Sequence, residues 1–282
     1  YRIYVLSSES ALSTKANGIL ISSDGGVSWD ERTNANAGVI TFSACNDGVC
    51  CNTIGSTSVG RIFLGCGGAL QISDDSGASF TSKISDSGFA ARSVYVDKND
   101  NVYVASNNGN GSSSVTGLYI STDKGDNFVR KTQSSNSLFS DYSTAVHVSD
   151  AGIIYVGHGN FIGSSGGGIS YSSDGGSTFS TTSITGGKKI TSISTDSNGY
   201  VYVGNSDGLW ISTNGGSSFT QKTTSDGLPS NTIQSIYVDP VDRVYIGTSS
   251  GLALSDDAGN SFSIKTTAHG LGNSEVGGVF VR

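Results

Sequence analysis

The chain has 282 residues, including 40 glycines, 2 prolines and no methionine, and its 16 basic and 23 acidic residues give a net charge of −7 at pH 7. An acidic balance without a basic run argues against a protein that binds nucleic acid or anionic membrane surfaces. No apolar run reaches the length of a membrane span, so membrane insertion is not expected.

Six copies of an eight-residue phrase divide the chain into repeats. The pattern is S-x-[D/N]-x-G-x-[S/T/N]-[F/W], at residues 22–29, 73–80, 121–128, 172–179, 212–219 and 255–262. In chain order, the central acid or amide is Asp24, Asp75, Asp123, Asp174, Asn214 and Asp257. A repeat of roughly 40 to 50 residues is typical of solenoids, arrays and propellers.

Four short apolar runs accompany each phrase. In the third repeat they are residues 93–96, 102–105, 117–120 and 128–131, bounded by Gly, Asn, Asp and Ser. Alternating, β-branched and aromatic residues between such turn residues predict strands. No stretch has a sustained 3.6-residue apolar period, so essentially no helix is expected. Four antiparallel strands per repeat predict a β-propeller blade, with the phrase as the turn between its third and fourth strands.

The two ends of the chain predict how the ring closes. Residues 1–6 match a second strand that no first strand precedes, and residues 275–281 match a first strand. If 276–281 paired alongside 3–6, the C-terminal strand would complete the first blade and remove exposed sheet edges. The sequence therefore predicts an all-β chain that forms one domain over residues 1–282, a six-bladed propeller of four-stranded antiparallel blades.

The repeated phrase resembles the Asp-box, or BNR repeat, of bacterial sialidases and many secreted propellers, and the resemblance covers all six repeats. It implies that the boxes are structural and lie away from the active face. Turn chemistry agrees, because Asp accepts nearby backbone N–H bonds and Gly supplies positive φ. A narrower resemblance joins residues 227–233, 236–239 and 244–252 to the propeller repeat of two-component-regulator sensor domains, with a weaker echo at 270–274.

The sialidase resemblance does not extend to the catalytic residues of that family. Sialidases use three arginines around the substrate carboxylate, a Tyr nucleophile assisted by Glu, and an acidic acid/base. Here only Arg92 lies convincingly at the predicted site face, and the family's Arg-Ile-Pro signature is absent. Other glycosidases need two neighbouring carboxylates. The best candidates, Asp141 and Glu275, come from opposite blades of the predicted ring, so no catalytic residue is predicted.

The candidate binding residues lie where the chain enters the first strands and where second and third strands connect. Matching first-strand positions hold different residues in otherwise similar repeats, namely Arg92, Thr144, Thr191, Gln234 and Gly277. A site grafted onto a symmetric scaffold would vary in this way, and so would solvated loops around a wet channel. The predicted ligand contacts are Arg92, Tyr142, His158, Phe161, Lys188 and Gln234, which combine aromatic surface with hydrogen-bond donors.

Four cysteines, Cys45, Cys50, Cys51 and Cys66, lie close together in the second repeat. Two disulfides are favoured over a metal site because the count is even and paired C-x-x-C spacing is absent. Three pairings are open, and Cys45–Cys50 with Cys51–Cys66 is favoured because adjacent cysteines close only a strained ring. Residues 97–101 begin like a calcium loop but lack its later ligands, so they are interpreted as a hairpin turn. No metal or cofactor is predicted.

Together these features predict a non-enzymatic recognition module that binds a glycan or a protein through its loop face. An extracellular, cell-surface or periplasmic location is expected, and so is a position after a removed leader or inside a larger bacterial surface protein such as an adhesin. A glycoside hydrolase of sialidase-like fold and the sensor propeller of a signalling protein remain alternatives.

Overall fold

The computed structural model describes residues 3–7, 18–24, 27–28, 30–32, 51–107, 114–159, 167–184 and 186–279. The chain divides into two compact units, Tyr1–Arg130 and Lys131–Arg282. In the described residues of both units, strands are by far the commonest element. None of the helices found there is long and apolar enough to cross a membrane.

The first unit contains three antiparallel sheets whose neighbouring strands are consecutive in sequence. Sheet 1 contains β1 (Ile3–Ser7), β2 (Gly18–Ser22) and β3 (Asp30–Arg32). Sheet 2 contains β4 (Cys51–Ser56), β5 (Ile62–Cys66), β6 (Ala69–Ser73) and β7 (Thr81–Ile84). Sheet 3 contains β8 (Ala91–Val96), β9 (Val102–Ser106), β10 (Gly117–Ser121) and β11 (Val129–Lys131).

The second unit contains three further sheets of the same order. Sheet 4 contains β12 (Ser143–Val148), β13 (Ile154–His158), β14 (Gly168–Ser172) and β15 (Ser180–Ser183). Sheet 5 contains β16 (Ser192–Thr195), β17 (Val201–Asn205), β18 (Gly208–Ser212) and β19 (Thr220–Lys222). Sheet 6 contains β20 (Ile233–Val238), β21 (Val244–Thr248), β22 (Gly251–Ser255) and β23 (Ser263–Lys265). Among the described residues of this unit, one short helix, α1 (Gln133–Asn136), and two 3-10 turns, Thr224–Asp226 and Thr267–His269, precede or follow these sheets.

Burial falls from the inner to the outer strands of each complete sheet. In sheet 2 every residue of β5 and β6 is buried, whereas the outer strand β7 is almost wholly exposed. The cores are built from inner-strand residues such as Phe63 and Val104 in the first unit and Tyr202 and Ile246 in the second. The outer strands are short, and β7, β19 and β23 each contain a lysine. Short charged edges limit pairing with other chains.

The strand predictions are confirmed for the all-β class and for five sheets of four antiparallel strands. In the third repeat the observed strands β8 to β11 coincide with the four predicted runs to within two residues at most boundaries. Residues 275–279 are not in a strand, and 280–282 lie outside the described residues, as do many residues around the first sheet. The six-bladed ring and its closure therefore stay predictions.

The repeated phrase forms the turn between the third and fourth strands. In sheet 2, Asp75 Oδ1 accepts hydrogen bonds from the Ser73 hydroxyl at 2.7 Å and the Ser79 backbone N–H at 2.8 Å. Its Oδ2 accepts from the Ser79 hydroxyl at 2.6 Å, and the buried Ser73 hydroxyl accepts from Gly77 N–H at 2.7 Å. Equivalent bonds occur at Asp24, Asp123, Asp174, Asn214 and Asp257. These side chains hold a turn by satisfying its backbone donors.

The invariant glycine of the phrase lets the turn approach the preceding sheet. Gly77 has φ +91°, and a Cβ there would lie 2.2 Å from Ile21 Cδ1 of sheet 1. Gly259 has φ +84°, and a Cβ there would lie 2.3 Å from Ile211 Cδ1 of sheet 5. Both positions thus need glycine for conformation and for space. The phrase therefore contributes to packing between sheets within each unit.

The turn over residues 97–101 joins β8 to β9 as a hairpin. Asp97 Oδ1 accepts from the N–H groups of Asn99 and Asn101, each at 2.9 Å. Its Oδ2 accepts from Asn101 Nδ2 at 2.8 Å and from the Tyr103 hydroxyl at 3.1 Å. The carboxylate thus faces four hydrogen-bond donors. Across the residues that the structure describes, no three His, Cys, Asp or Glu side chains are grouped so that they could hold a metal ion.

The strand register favours one of the predicted disulfides. Cys51 of β4 lies opposite Cys66 of β5, while Cys45 and Cys50 lie outside the described residues. Opposite residues of antiparallel strands have Cα atoms about 4.5 to 5.5 Å apart, a separation that a disulfide can span. The pairing Cys51–Cys66 stays a prediction.

Alkylation and intact-mass analysis of natively exported protein tests this prediction. We expect four alkylated thiols only after reduction, and a Cys51–Cys66 peptide in a digest of the unreduced protein. Four reactive thiols before reduction would contradict the oxidised state, and a different linked peptide would contradict the pairing alone.

Candidate functional site

The two ends of each sheet carry different connections. Because the strands run antiparallel, the start of the first strand and the connection between strands two and three share one end. The turns between strands one and two and between strands three and four share the other. The first of these is termed the entrance end of its sheet. In the first unit, the entrance end of sheet 3 is formed by the start of β8 and the connection after β9. In the second unit, the entrance ends are formed by the starts of β12, β16 and β20 and the connections after β13, β17 and β21.

Three first strands, β8, β12 and β20, each have a β-bulge at the entrance end, which leaves one residue unpaired with the neighbouring strand. The register shifts between residues 91 and 93, between 143 and 145, and between 233 and 235. The extra residues are Arg92, Thr144 and Gln234, which sequence comparison of the repeats had already placed at matching positions. A bulge redirects a side chain relative to the rest of the strand. The same local geometry therefore presents three different side chains.

Threonine at this position joins neighbouring sheets. The buried Thr144 hydroxyl lies 2.8 Å from the Ile190 carbonyl oxygen of the next sheet and 3.2 Å from the Gly157 carbonyl oxygen. Thr191 repeats the contact one sheet later, at 2.8 Å from the Ile233 carbonyl oxygen. A short hydroxyl side chain that binds two backbone carbonyls has little left to offer a ligand. These two positions are structural.

Glutamine at the same position forms an exposed hydrogen bond with a carboxylate and, among the described residues, does not bind the backbone of the next sheet. Gln234 Nε2 donates a hydrogen bond of 2.7 Å to Glu275 Oε1, and this contact is exposed. Lys188, in the segment that precedes β16, is also exposed. The entrance end of the second unit therefore offers an amide, a carboxylate and an ammonium group to a ligand. The sequence identifies Glu275 as a carboxylate at a first-strand entrance but does not pair it with Gln234; the available signal was that both lie near the starts of successive predicted first strands.

Arginine occupies the bulge position in the first unit. The half-buried Arg92 donates from Nε to the Asn107 carbonyl oxygen at 2.8 Å, and Asn107 N–H donates to the Ala90 carbonyl oxygen at 3.0 Å. The guanidinium group is thus held against the connection that follows β9. A planar guanidinium held in this way is suited to directional hydrogen bonding with planar or charged acceptors.

The prediction that His158 contacts a ligand is corrected by its burial. Its side chain is 0 % exposed, and its Nε2 lies 2.8 Å from Ser170 Oγ. Its ring centroid lies 6.0 Å from that of Phe139. Burial lowers the pKa of His158 to about 3, so the imidazole is neutral at physiological pH. A fully enclosed neutral ring contributes to the core of sheet 4 and offers no surface to a ligand.

The remaining candidates differ in what the structure shows of them. Tyr142 is half-buried at the entrance end, and its carbonyl oxygen accepts a hydrogen bond of 3.1 Å from Gly159 N–H. Asp141 Oδ1 accepts from the backbone N–H of Gln133, the first residue of α1, at 2.6 Å. Phe161 lies outside the described residues. The ligand contacts thus stay a prediction, without His158.

One family model matches part of the chain. The two component regulator propeller matches residues 227–250, which include all of β20 and β21. This match confirms the narrower of the two resemblances found in the sequence. The assignment of the six phrases as Asp-boxes stays a prediction. A search among curated proteins found no significant match.

Solved structures of similar fold come from several kinds of protein. A GH74 enzyme of Niastella koreensis superposes with TM-score 0.70 at 18 % identity, covering 93 % of this chain and 44 % of the enzyme. The extracellular domain of the hybrid two component system BT3049 from B. thetaiotaomicron gives 0.65 at 14 %, covering 92 % and 34 %. PorZ, a surface component of the type-IX secretion system of Porphyromonas gingivalis, gives 0.66 at 14 %, covering 97 % and 42 %. The chain spans less than half the length of each, and these likenesses establish the β-propeller fold.

Proposed function

We propose that this chain is a non-enzymatic recognition propeller that binds a glycan or a protein through the entrance ends of its sheets. The observation that carries the proposal is that the bulge at the start of the first strand holds a structural residue in one sheet and a long polar side chain in two others. Thr144 binds two backbone carbonyls there, whereas Arg92 and Gln234 present long side chains with several donors. A scaffold that repeats its fold while varying the residue at one position of each sheet is suited to recognition.

The chemistry of the entrance end fits a neutral polar ligand. In the second unit, Lys188 and Gln234 supply donors, Glu275 supplies an acceptor, and Tyr142 supplies a partly exposed ring. Sugar hydroxyls and peptide backbones both carry donors and acceptors that such a set can bind. The same groups give no reason to expect nucleic acid, since the chain is acidic overall.

A glycoside hydrolase is the second candidate, and its support is the fold shared with the Niastella koreensis GH74 enzyme and with the xyloglucanase of Xanthomonas campestris. Hydrolysis of a glycosidic bond by two carboxylates requires an acid and a nucleophile or base on either side of the bond. At the described entrance end, Asp141 accepts the first N–H of α1 and Glu275 is bonded to Gln234. Recognition without cleavage therefore has the stronger support.

An extracellular, cell-surface or periplasmic location within a larger protein completes the proposal. The similar proteins include an extracellular domain and a bacterial surface component, and this chain spans less than half of either. A sensor role is a variant of the same idea, supported by the two component regulator propeller match over residues 227–250. In each case the chain would act as the binding module.

We also propose six blades in a closed ring. Ile190, just before the first strand of sheet 5, contacts the end of β13 in sheet 4, where its N–H donates to the His158 carbonyl oxygen at 3.2 Å. Val276 N–H makes the equivalent bond of 2.9 Å to Thr248 at the end of β21. Residue 276 therefore contacts sheet 6 where the start of another first strand would lie, which supports the predicted role of 276–281.

A side-chain contact supports the same role for the C-terminal segment. Thr53 Oγ1 accepts from Val94 N–H of the following first strand at 2.9 Å, and Ser192 Oγ accepts from Ile236 N–H at 3.0 Å. The equivalent Ser235 hydroxyl is buried and has no hydrogen-bond partner among the described residues. A strand formed by 276–281 would bring a backbone N–H to it.

A glycan array combined with a screen of extracellular protein ligands tests the recognition proposal. For any ligand found, we expect the variant with Arg92→Ala, Lys188→Ala and Gln234→Ala to bind at least about tenfold more weakly, which corresponds to roughly 1.4 kcal/mol. The control replaces Lys265 of the outer strand β23 by Ala and should bind normally. Cleavage of a bound glycan would instead establish the hydrolase, and normal binding by the triple variant would place the site elsewhere.

A further inference from the structure

A cleft of about 370 Å³ opens between sheets 2 and 3 of the first unit. One wall is the end of β7 with the residues after it, including Lys83 and Asp86. The other is the turn that carries Asp126 and Phe128, and Tyr119 also contributes to the lining. The cleft shares no residue with the proposed ligand contacts of the entrance ends.

The equivalent turn of sheet 4 shows what fits against these groups. In the aligned phrases, Asp126 and Phe128 of sheet 3 correspond to Ser177 and Phe179 of sheet 4. There, Asn136 makes two hydrogen bonds to the backbone of the turn. Its carbonyl oxygen accepts from Phe179 N–H at 3.1 Å, and its Nδ2 donates to the Ser177 carbonyl oxygen at 3.0 Å.

The helical turn that carries Asn136 has no counterpart next to the cleft. Thr132 caps α1 through a hydrogen bond from Ser135 N–H, and this turn lies in the connection between β11 and β12. The connection between β7 and β8 is shorter, residues 85–90, and contains no helix. In the described part of the chain, the Phe128 N–H and the Asp126 carbonyl have no hydrogen-bond partner. The cleft therefore lies beside two backbone groups whose equivalents in sheet 4 are hydrogen-bonded to α1.

We propose that this cleft binds an asparagine-bearing turn of a partner protein in the manner of Asn136. The partner's Asn carbonyl oxygen would accept from Phe128 N–H, and its side-chain amide would donate to the Asp126 carbonyl oxygen. The amide group is neutral and suits a cleft whose walls carry both Lys83 and Asp86. The aromatic rings of Tyr119 and Phe128 supply apolar surface for the rest of the turn.

The side chain of Asp126 is already engaged outside this contact. Its Oδ1 accepts from Arg61 Nη1 at 2.7 Å, which holds the carboxylate while the backbone carbonyl serves the partner. The proposed contact therefore uses the backbone groups of this turn and leaves the bond between Asp126 and Arg61 in place. The site is independent of the proposed function, since it uses neither the entrance ends nor the ligand expected there.

Backbone amide NMR with the peptide acetyl-Thr-Gln-Ser-Ser-Asn-amide, which copies residues 132–136, tests the proposal. We expect saturable shifts of the Phe128 and Asn127 amide signals at millimolar peptide. The same peptide with Ala in place of Asn should bind at least about tenfold more weakly. Ser85→Trp, which places a large side chain at the cleft, should abolish the shifts, while Ser87→Trp in the same connection should leave them unchanged.

Three results would overturn the proposal. One is the absence of shifts at Phe128 with millimolar peptide, and another is equal binding by the Ala peptide. The third is stronger displacement of the same signals by N-acetylglucosamine than by the peptide, which would assign the cleft to an amide-bearing sugar. Melting curves show whether each Trp variant is folded, and unchanged shifts in Gln234→Ala separate this site from the entrance ends.

Discussion

Removal of residues 275–282 should unfold or aggregate the protein. Val276 N–H donates to the Thr248 carbonyl oxygen, and a Cβ at Gly247 would lie 2.5 Å from the Val276 carbonyl oxygen, so the segment lies directly against β21. Its loss would uncover the apolar face of sheet 6 and, in the proposed ring, leave sheet edges open to pairing with other chains. Thermal unfolding and size-exclusion chromatography of the truncated chain measure the effect.

A point variant and a matched control keep this test specific. Val276→Asp should lower the melting temperature because it places a charge where Val276 Cγ1 packs near Gly247, 3.1 Å from the position that a Cβ there would take. Ser274→Ala, an exposed change in the same segment, should not. An unchanged melting temperature after truncation would show that the C-terminal segment plays no part in the fold, and ring closure would have to be abandoned.

The strands and their turns were predictable because their signals are local and repeated. Each turn phrase contains the Ser, the Asp or Asn and the Gly that its hydrogen bonds and backbone angles require, as the contacts of Ser73, Asp75 and Gly77 show. Six copies made the pattern visible without any alignment to other proteins. The outward fall in burial also follows from the sequence, since the fourth runs are the most polar.

The short helix α1 was not predictable from apolar periodicity, because four residues are too few to show a 3.6-residue period. Its structure depends on the Thr132 cap and on Asp141, which accepts the Gln133 N–H from eight residues away. That connection also brings Phe139 over His158. The burial of His158 therefore follows from packing between segments distant in sequence, and a histidine at the end of a strand gave no sign of it.

The candidate site was predictable only as a set of equivalent positions. Comparison of the repeats placed Arg92, Thr144 and Gln234 together, and the bulges show why they are equivalent. The difference in their roles depends on carbonyl groups of the next sheet, such as that of Ile190. Sequence spacing carries no information about that distance, so it could not separate the structural threonines from the side chains available to a ligand.

Protonation of the turn aspartates should control the acid stability of this protein. Hydrogen bonds from the Ser79 hydroxyl and N–H and from Ser73 lower the pKa of Asp75 to about 2, and the equivalent bonds lower the pKa of Asp257 to about 2. The pKa values of Asp24, Asp123 and Asp174 are lowered for the same reason. Because the folded pKa lies below the unfolded value near 3.8, these groups stabilise the fold above about pH 4. That stability is lost as the pH falls from about 4 towards 2.

Replacement of aspartate by asparagine separates the hydrogen bonds from the charge. Asn214 is the natural precedent: its Oδ1 accepts from Ser218 N–H at 2.9 Å and its Nδ2 donates to Ser218 Oγ at 2.8 Å. Asp75→Asn with Asp257→Asn should therefore keep the turn hydrogen bonds but be less stable than the parent at pH 7, because a neutral amide makes weaker bonds than an ionised carboxylate. The double variant should lose less stability than the parent between pH 4 and 2. Asp75→Ala, which cannot make these bonds, should cost about 1 kcal/mol at pH 7. Denaturant unfolding across this pH range measures both effects, and an asparagine variant as acid-sensitive as the parent would show that other carboxylates govern acid unfolding.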